Sequence, residues 1–291
     1  MERPHETRGP SLMFLLPNGP EFGHHHAMAA GKRWTREELL VALNLYHKLP
    51  FGQFHSENPT IIDLARALGR SSSSLAMKLS NFASLDPTLK LRGIKGLDGA
   101  SALDRSTWIE FHANLEESVP ASEAAVRKLF RVGGTAELQV LPGEGFKISG
   151  RRVWGATDVL ANTKVRRGQE YFREAVLNNF GGRCGVSRLC IRQLLIASHI
   201  MPWSNYPSHR LDVRNGLCLS RLHDAAFDCG LISFDENLRL ILSPKLNNQL
   251  SQRSVRDNFA AYAGEPLHLP EDSVPPEPSF LATHREMIFE K

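Results

Sequence analysis

The sequence predicts an α+β protein in two parts: a small helical bundle, then a strand–loop–strand–helix unit. Apolar residues recur with helical spacing from Thr35 to Phe130. The pattern breaks over Val132–Gly150, a stretch with five glycines and one proline. Beyond Lys164, an amphipathic helix leads into two short apolar runs of strand length, separated by a polar loop. A length of 291 residues corresponds to roughly two domains at ~150 residues each. With 42% hydrophobic and 23% charged residues, usage is ordinary for a globular chain. That excludes a wholly disordered, collagen-like or multi-pass membrane protein. No apolar run reaches the ~18 residues of a membrane helix, and Leu12–Leu16 is too short for a signal-peptide core.

Residues 1–31, with the triplet His24–His26, read as a flexible tail. The first helix starts at Thr35, with Glu38 three residues on as a capping box, and runs to about Lys48 with Leu39, Leu40, Leu43 and Tyr46 on one face. Pro50-Phe51-Gly52 breaks it. A second helix spans Pro59–Leu68 and stops at Gly69; a third is capped by Ser71–Ser74 and carries Leu75, Met77, Leu79 and Phe82. This helix–Gly turn–helix order is that of a helix-turn-helix unit. Trp34-Thr35-Arg36-Glu37-Glu38 also resembles the start of a Myb/SANT-type module. Residues 32–84 carry a net charge of +3. Lys78, beside Ser and Asn on the third helix, is a candidate DNA contact; the alternative is a small protein-binding bundle. Helices are also expected at Arg105–Asn114 and Ser122–Phe130, and Val132–Gly150 reads as a linker or irregular insert.

The chemistry is concentrated after Lys164. The 60 residues Lys164–His223 hold ten basic and three acidic residues, and nine of the ten are Arg. Arg is the side chain best shaped to grip phosphate in a bidentate way. Arg167–Phe180 is expected to be a helix, Leu194–Ile200 and Gly216–Leu219 strands, and Leu222–Asp228 a short helix. His199 ends the first strand, Asn215 opens the second and His223 lies on the helix. His199 is suited to taking a proton near neutral pH, and an amide such as Asn215 donates and accepts at once. Cys184, Cys190, Cys218 and Cys229 contain no C-x-x-C pair and read as small core residues in a reducing cytoplasm.

"LLIASHIMPW", "RLDVRNGLCLS" and "LHDAAFDCGLI" resemble the HNH endonuclease core, the ββα-metal fold, in a subfamily of restriction-type enzymes; "VRRGQEYFREAVL" is similar to the helix that precedes it there. The resemblance implies a metal-dependent DNA endonuclease with His199 as general base, Asn215 as the residue that ties down the loop and orients the base, and His223 as a metal ligand. It implies a divalent cation, Mg²⁺ first, with Mn²⁺, Ni²⁺ or Zn²⁺ as others. Many members carry Asp or His immediately before the base, where this chain has Ser198; Asp224 or Asp228 is a candidate for the missing oxygen ligand. Arg166, Arg167, Arg210 and Arg214 are candidate phosphate contacts. The expected division is a tail at 1–31, a DNA-binding module at 32–131, a linker at 132–163 and a nuclease domain at 164–291, closed by a hairpin around Glu236-Asn237, a Pro-rich connector and a helix over Phe280–Phe289. DNA is the expected partner, with no membrane and a homodimer as the means of cutting both strands. The alternative is a silent binding protein whose site is spoiled by Ser198.

Overall fold

The computed structural model describes residues 32–133, 136–149, 163–203 and 205–290. The expected tail at 1–31 and residues 150–162 of the expected linker lie outside them. Six helices come first: α1 (Arg36–Tyr46), α2 (Pro59–Leu68), α3 (Ser72–Ala83), α4 (Pro87–Leu91), α5 (Ala102–Ala113) and α6 (Leu115–Leu129). The capping box at α1 is formed: Glu38 N donates to Thr35 Oγ1 (3.3 Å) and Thr35 N to Glu38 Oε2 (2.8 Å). Gly69 ends α2 in the left-handed conformation, and the Ser71 hydroxyl caps α3. No helix among the described residues is long and apolar enough to cross a membrane.

The expected linker is a correction. Residues Glu137–Leu141 (β1) and Gly145–Ser149 (β2) form an antiparallel hairpin that is part of the core. Val140 and Phe146 are buried in it. The Thr60 hydroxyl on α2 donates to Leu141 O (3.0 Å), and Phe146 N donates to Asp63 Oδ2 (3.1 Å). Gly145 (φ +91°) makes the turn; a side chain there would run into the Asp63 carboxylate.

Helix α7 (Thr163–Asn179) then lies between the bundle and the rest. Its far side receives β3 (Leu195–His199) and β4 (Gly216–Ser220), an antiparallel pair followed directly by α8 (Arg221–Asp228). A second hairpin, β5 (Ile232–Phe234) and β6 (Leu240–Leu242), and the short helices α9 (Pro244–Asn247) and α10 (Arg253–Asn258) follow. Helix α11 (Pro278–Met287) docks back through Phe280, Leu281 and His284, all buried. Its His284 stacks on Phe227 with centroids 3.7 Å apart, and Arg285 donates to Phe234 O (2.8 Å), so both residues are structural.

The two parts share one continuous core rather than being joined by a free linker. Asn178 of α7 donates to Lys48 O (3.1 Å) and to Val140 O (2.8 Å). Glu174 accepts from Val140 N (2.7 Å) and from Arg192 (2.7 Å). Beneath them Lys48 and Glu123, both buried, form an ion pair that Asn44 joins through Glu123 Oε1 (3.0 Å). A buried charge left alone is costly, so Glu123→Ala is expected to lower stability by about 3–5 kcal/mol. Joint replacement by Lys48→Met and Glu123→Leu is expected to recover most of that loss in urea unfolding.

Candidate active site

The β3–β4 register places His199 opposite Gly216 and Ser198 opposite Leu217. The ladder extends one step further through Ile200 N to Asn215 O (2.9 Å). A side chain at Gly216 would collide with Val176 and Phe172, so this glycine lets β4 lie directly against α7. The loop between the strands is closed by the fully buried Asn215. Its Oδ1 accepts from Met201 N (2.7 Å), and its Nδ2 donates to Met201 O (3.3 Å) and His209 O (3.0 Å). One amide thus pins the loop at both ends.

That loop presents the Arg210 carbonyl to His199 Nε2 at 3.0 Å. A carbonyl only accepts, so Nε2 carries the proton and the Nδ1 lone pair is the basic one. The ring stacks on Phe172 of α7, with centroids 3.8 Å apart and planes 11° from parallel, and meets the edge of Trp203. Burial pushes the His199 pKa below its usual value, and the Arg210 carbonyl offsets this only in part. The ring is therefore neutral and basic at pH 7. Nothing in the sequence marks Phe172 as a site residue, because it belongs to the same apolar face as the helix's core residues.

Helix α8 brings two carboxylates, Asp224 and Asp228, one turn apart and on one face. Burial raises the pKa of Asp224, opposed by the Ser198 hydroxyl and by Arg221. Asp228 is exposed on its outer side, yet the protein packed around its carboxyl and the charge of Asp224 raise it to about 6. Ser198 is buried, and its Oγ, facing this acidic pair, forms no complete hydrogen bond of its own. Two crowded carboxylates beside a buried hydroxyl make a hard, oxygen-rich site that a cation would relieve. Among the described residues no three His, Cys, Asp or Glu side chains converge. Such a site suits a cation that keeps several waters.

His223 is buried. Its Nε2 donates to Asn258 O (2.8 Å), and its Nδ1 faces the Ser220 hydroxyl (2.7 Å) and Cys184 Sγ (3.7 Å). Both ring nitrogens thus have partners inside the fold. His223 joins α8 to α10 and to the turn at Cys184, whose sulfur accepts from Ser220 N (3.2 Å).

Most of the expected phosphate contacts are also occupied. Lys78 is buried, with both oxygens of Asp104 at 2.8 Å. Arg214 is held by Asp212 (2.7 Å) and Glu277 (3.0 Å). Arg210 donates to Trp203 O (2.7 Å) and lies 3.6 Å from Glu116, and Arg166 pairs with Glu170 (3.1 Å). Arg167 alone of the five retains a guanidinium without a partner among the described residues. Arg183, Arg188 and Arg221 are exposed on the side of the β3–β4–α8 unit, and Arg221 lies near enough to Asp224 to lower its pKa. Composition counted these arginines correctly, but only packing separates the free ones from the paired.

An NMR titration is expected to place the His199 midpoint below 6.5. Because the unfolded chain takes that proton near ~6.5, the residue's contribution to stability is complete above that pH. It is lost as pH falls through the lower folded value. Asn215→Ala, which leaves buried backbone groups unpaired, is expected to cost about 2–3 kcal/mol and to raise hydrogen exchange at Met201.

Residues 183–235 match the family model described as HNH endonuclease. No curated protein matches the chain. The matched segment contains both strands, the loop, α8 and β5, together with His199, Asn215, His223 and the two α8 carboxylates. The stretch from Arg183 to Asp235 is thus an HNH endonuclease domain, here built onto a helical bundle through α7.

Proposed function

We propose that this protein is a divalent-metal-dependent DNA endonuclease in which His199 is the general base and Asp224 and Asp228 hold the cation. The observation that carries this reading is the fixed tautomer of His199, its Nε2–H held by Arg210 O and its Nδ1 free, on the strand whose preceding residue, Ser198, faces the acidic pair. A cation held there, Mg²⁺ or Mn²⁺ in preference to Ni²⁺ or Zn²⁺, would neutralise charge on the scissile phosphate and the departing oxygen. His199 Nδ1 takes a proton from water as its oxygen bonds to phosphorus. The P–O3′ bond breaks, and the departing oxygen is protonated from solvent, leaving 5′-phosphate and 3′-hydroxyl ends. The Arg210 carbonyl stabilises the imidazolium that forms. Asn215 is a positioning residue, acting through the loop that carries this carbonyl. Arg167, Arg183, Arg188 and Arg221 supply the cations that meet the DNA backbone. A restriction role, with two copies cutting opposite strands, follows from the family resemblance alone, and the helical bundle enters this reading as the support of α7.

His199→Ala is expected to lower plasmid nicking by about 10²–10⁴-fold while binding to a duplex is retained. Mn²⁺ titration calorimetry is expected to show weakened binding for Asp224→Asn and unchanged binding for His223→Gln. Loss of Mn²⁺ binding in a folded His223→Gln variant would return the ligand role to that histidine. Arg221→Ala is expected to reduce the slope of log affinity against log salt by about one, and Lys78→Met to leave it unchanged.

A further inference from the structure

A cavity of about 390 Å³ lies between the helical bundle and the loop that carries the catalytic carbonyl. Its size falls in the range of small-molecule sites, ~300–1,000 Å³. Its walls are aromatic: Tyr46, Phe54, Trp108 and Tyr171 all line it. His47 also lines it, and His47 Nε2 is buried with no hydrogen-bond partner. A buried ring nitrogen without a partner is a costly arrangement that a ligand would correct.

The charges around this space exclude phosphate as the bound group. Lys48 is neutralised by Glu123, and Arg214 by Asp212 and Glu277. Asp86 and Asp272, which also line the cavity, form no salt bridge among the described residues; Asp86 accepts from the Tyr46 hydroxyl (2.7 Å) and acts on Arg214 only through its charge. Burial and the neighbouring His112 keep His47 neutral. What remains is a flat aromatic slot with one free imidazole nitrogen and carboxylates at its edge. That combination suits an uncharged planar heterocycle carrying N–H donors.

We propose that this cavity binds a nucleobase, stacked on its aromatic walls and hydrogen-bonded to His47 Nε2. The base is either extruded from the DNA that the nuclease site engages or belongs to a free nucleoside. Only the first source rests on the endonuclease reading. The cavity shares its wall with the supports of the catalytic base. Asp212 and Arg214 belong to the loop of Arg210, and Tyr171 is the neighbour of Phe172, on which His199 stacks. Occupancy of the cavity is thereby felt at His199 without any contact between ligand and base.

The test uses binding alone, so failure of catalysis does not affect it. Saturation-transfer NMR on the full chain, with the four deoxynucleosides in turn, reads the free ligand. Quenching of 2-aminopurine placed in a duplex reads the extruded base. The expected result is a signal in at least one arm, none with deoxyribose 5-phosphate, and an affinity about tenfold weaker in His47→Phe, which loses a single hydrogen bond. Thr88→Trp, which fills the rim, is expected to abolish the signal while the thermal melting curve is retained. A signal with nucleosides alone assigns a free effector; a signal with the duplex alone assigns a base-reading pocket. Absence of signal in both arms, or signals unchanged in both folded variants, would overturn the proposal.

Discussion

Helix α7 is packed on two sides, with its last ten residues almost wholly buried, and this constraint organises the molecule. One side meets α6 and the β1–β2 hairpin, and the other meets β3 and β4. A helix buried in this way needs its polar groups satisfied inside the protein. Glu174 and Asn178 meet that need by bonding to backbone groups of Lys48 and Val140 on one side, and Glu174 also to the Arg192 side chain on the other. Phe172, on the same helix, is the surface on which His199 lies. The bundle and the nuclease unit are therefore coupled through one rigid element, and damage to the bundle core reaches the site through α7.

The site itself divides between two faces of a small ββα unit. Ser198, Asp224 and Asp228 gather on one side, where burial raises the pKa of both carboxylates, while His199, the next residue along β3, turns toward α7, where burial lowers its pKa. His223, on the same helix as the carboxylates, faces the other side and is consumed by Ser220, Cys184 and Asn258. Neighbours in sequence on a helix point about 100° apart, so His223 and Asp224 cannot share a face. Ser198, where a ligand was expected, is compensated by acids from α8.

The ββα unit was readable because its signals are local. A strand ending in His199, an Asn-Gly opening the next strand and a Ser-capped helix are short-range patterns, and the observed elements fall within a few residues of those expected. The hairpin β1–β2 was not read, because its glycines and proline suggest a break. Its alternation of Leu138 and Val140 gains meaning only against α2 and α7. The roles of the basic residues were not readable either. Lys78 is 26 positions from Asp104 and Arg214 is 63 from Glu277, and no periodicity announces such pairs.

The sequence by itself determined the helix and strand types, the caps at Thr35 and Ser71, and the order His199, Asn215, His223 within an Arg-rich stretch. These depend on contacts within a few residues, where backbone geometry and side-chain chemistry act directly. Tertiary structure alone decided which nitrogen of His199 is basic, which carboxylates stand beside Ser198, which arginines remain free, and that a cavity holds an unpartnered His47. Each depends on what distant segments bring together, because burial and pairing, rather than residue type, set whether a charge or a lone pair is available for chemistry.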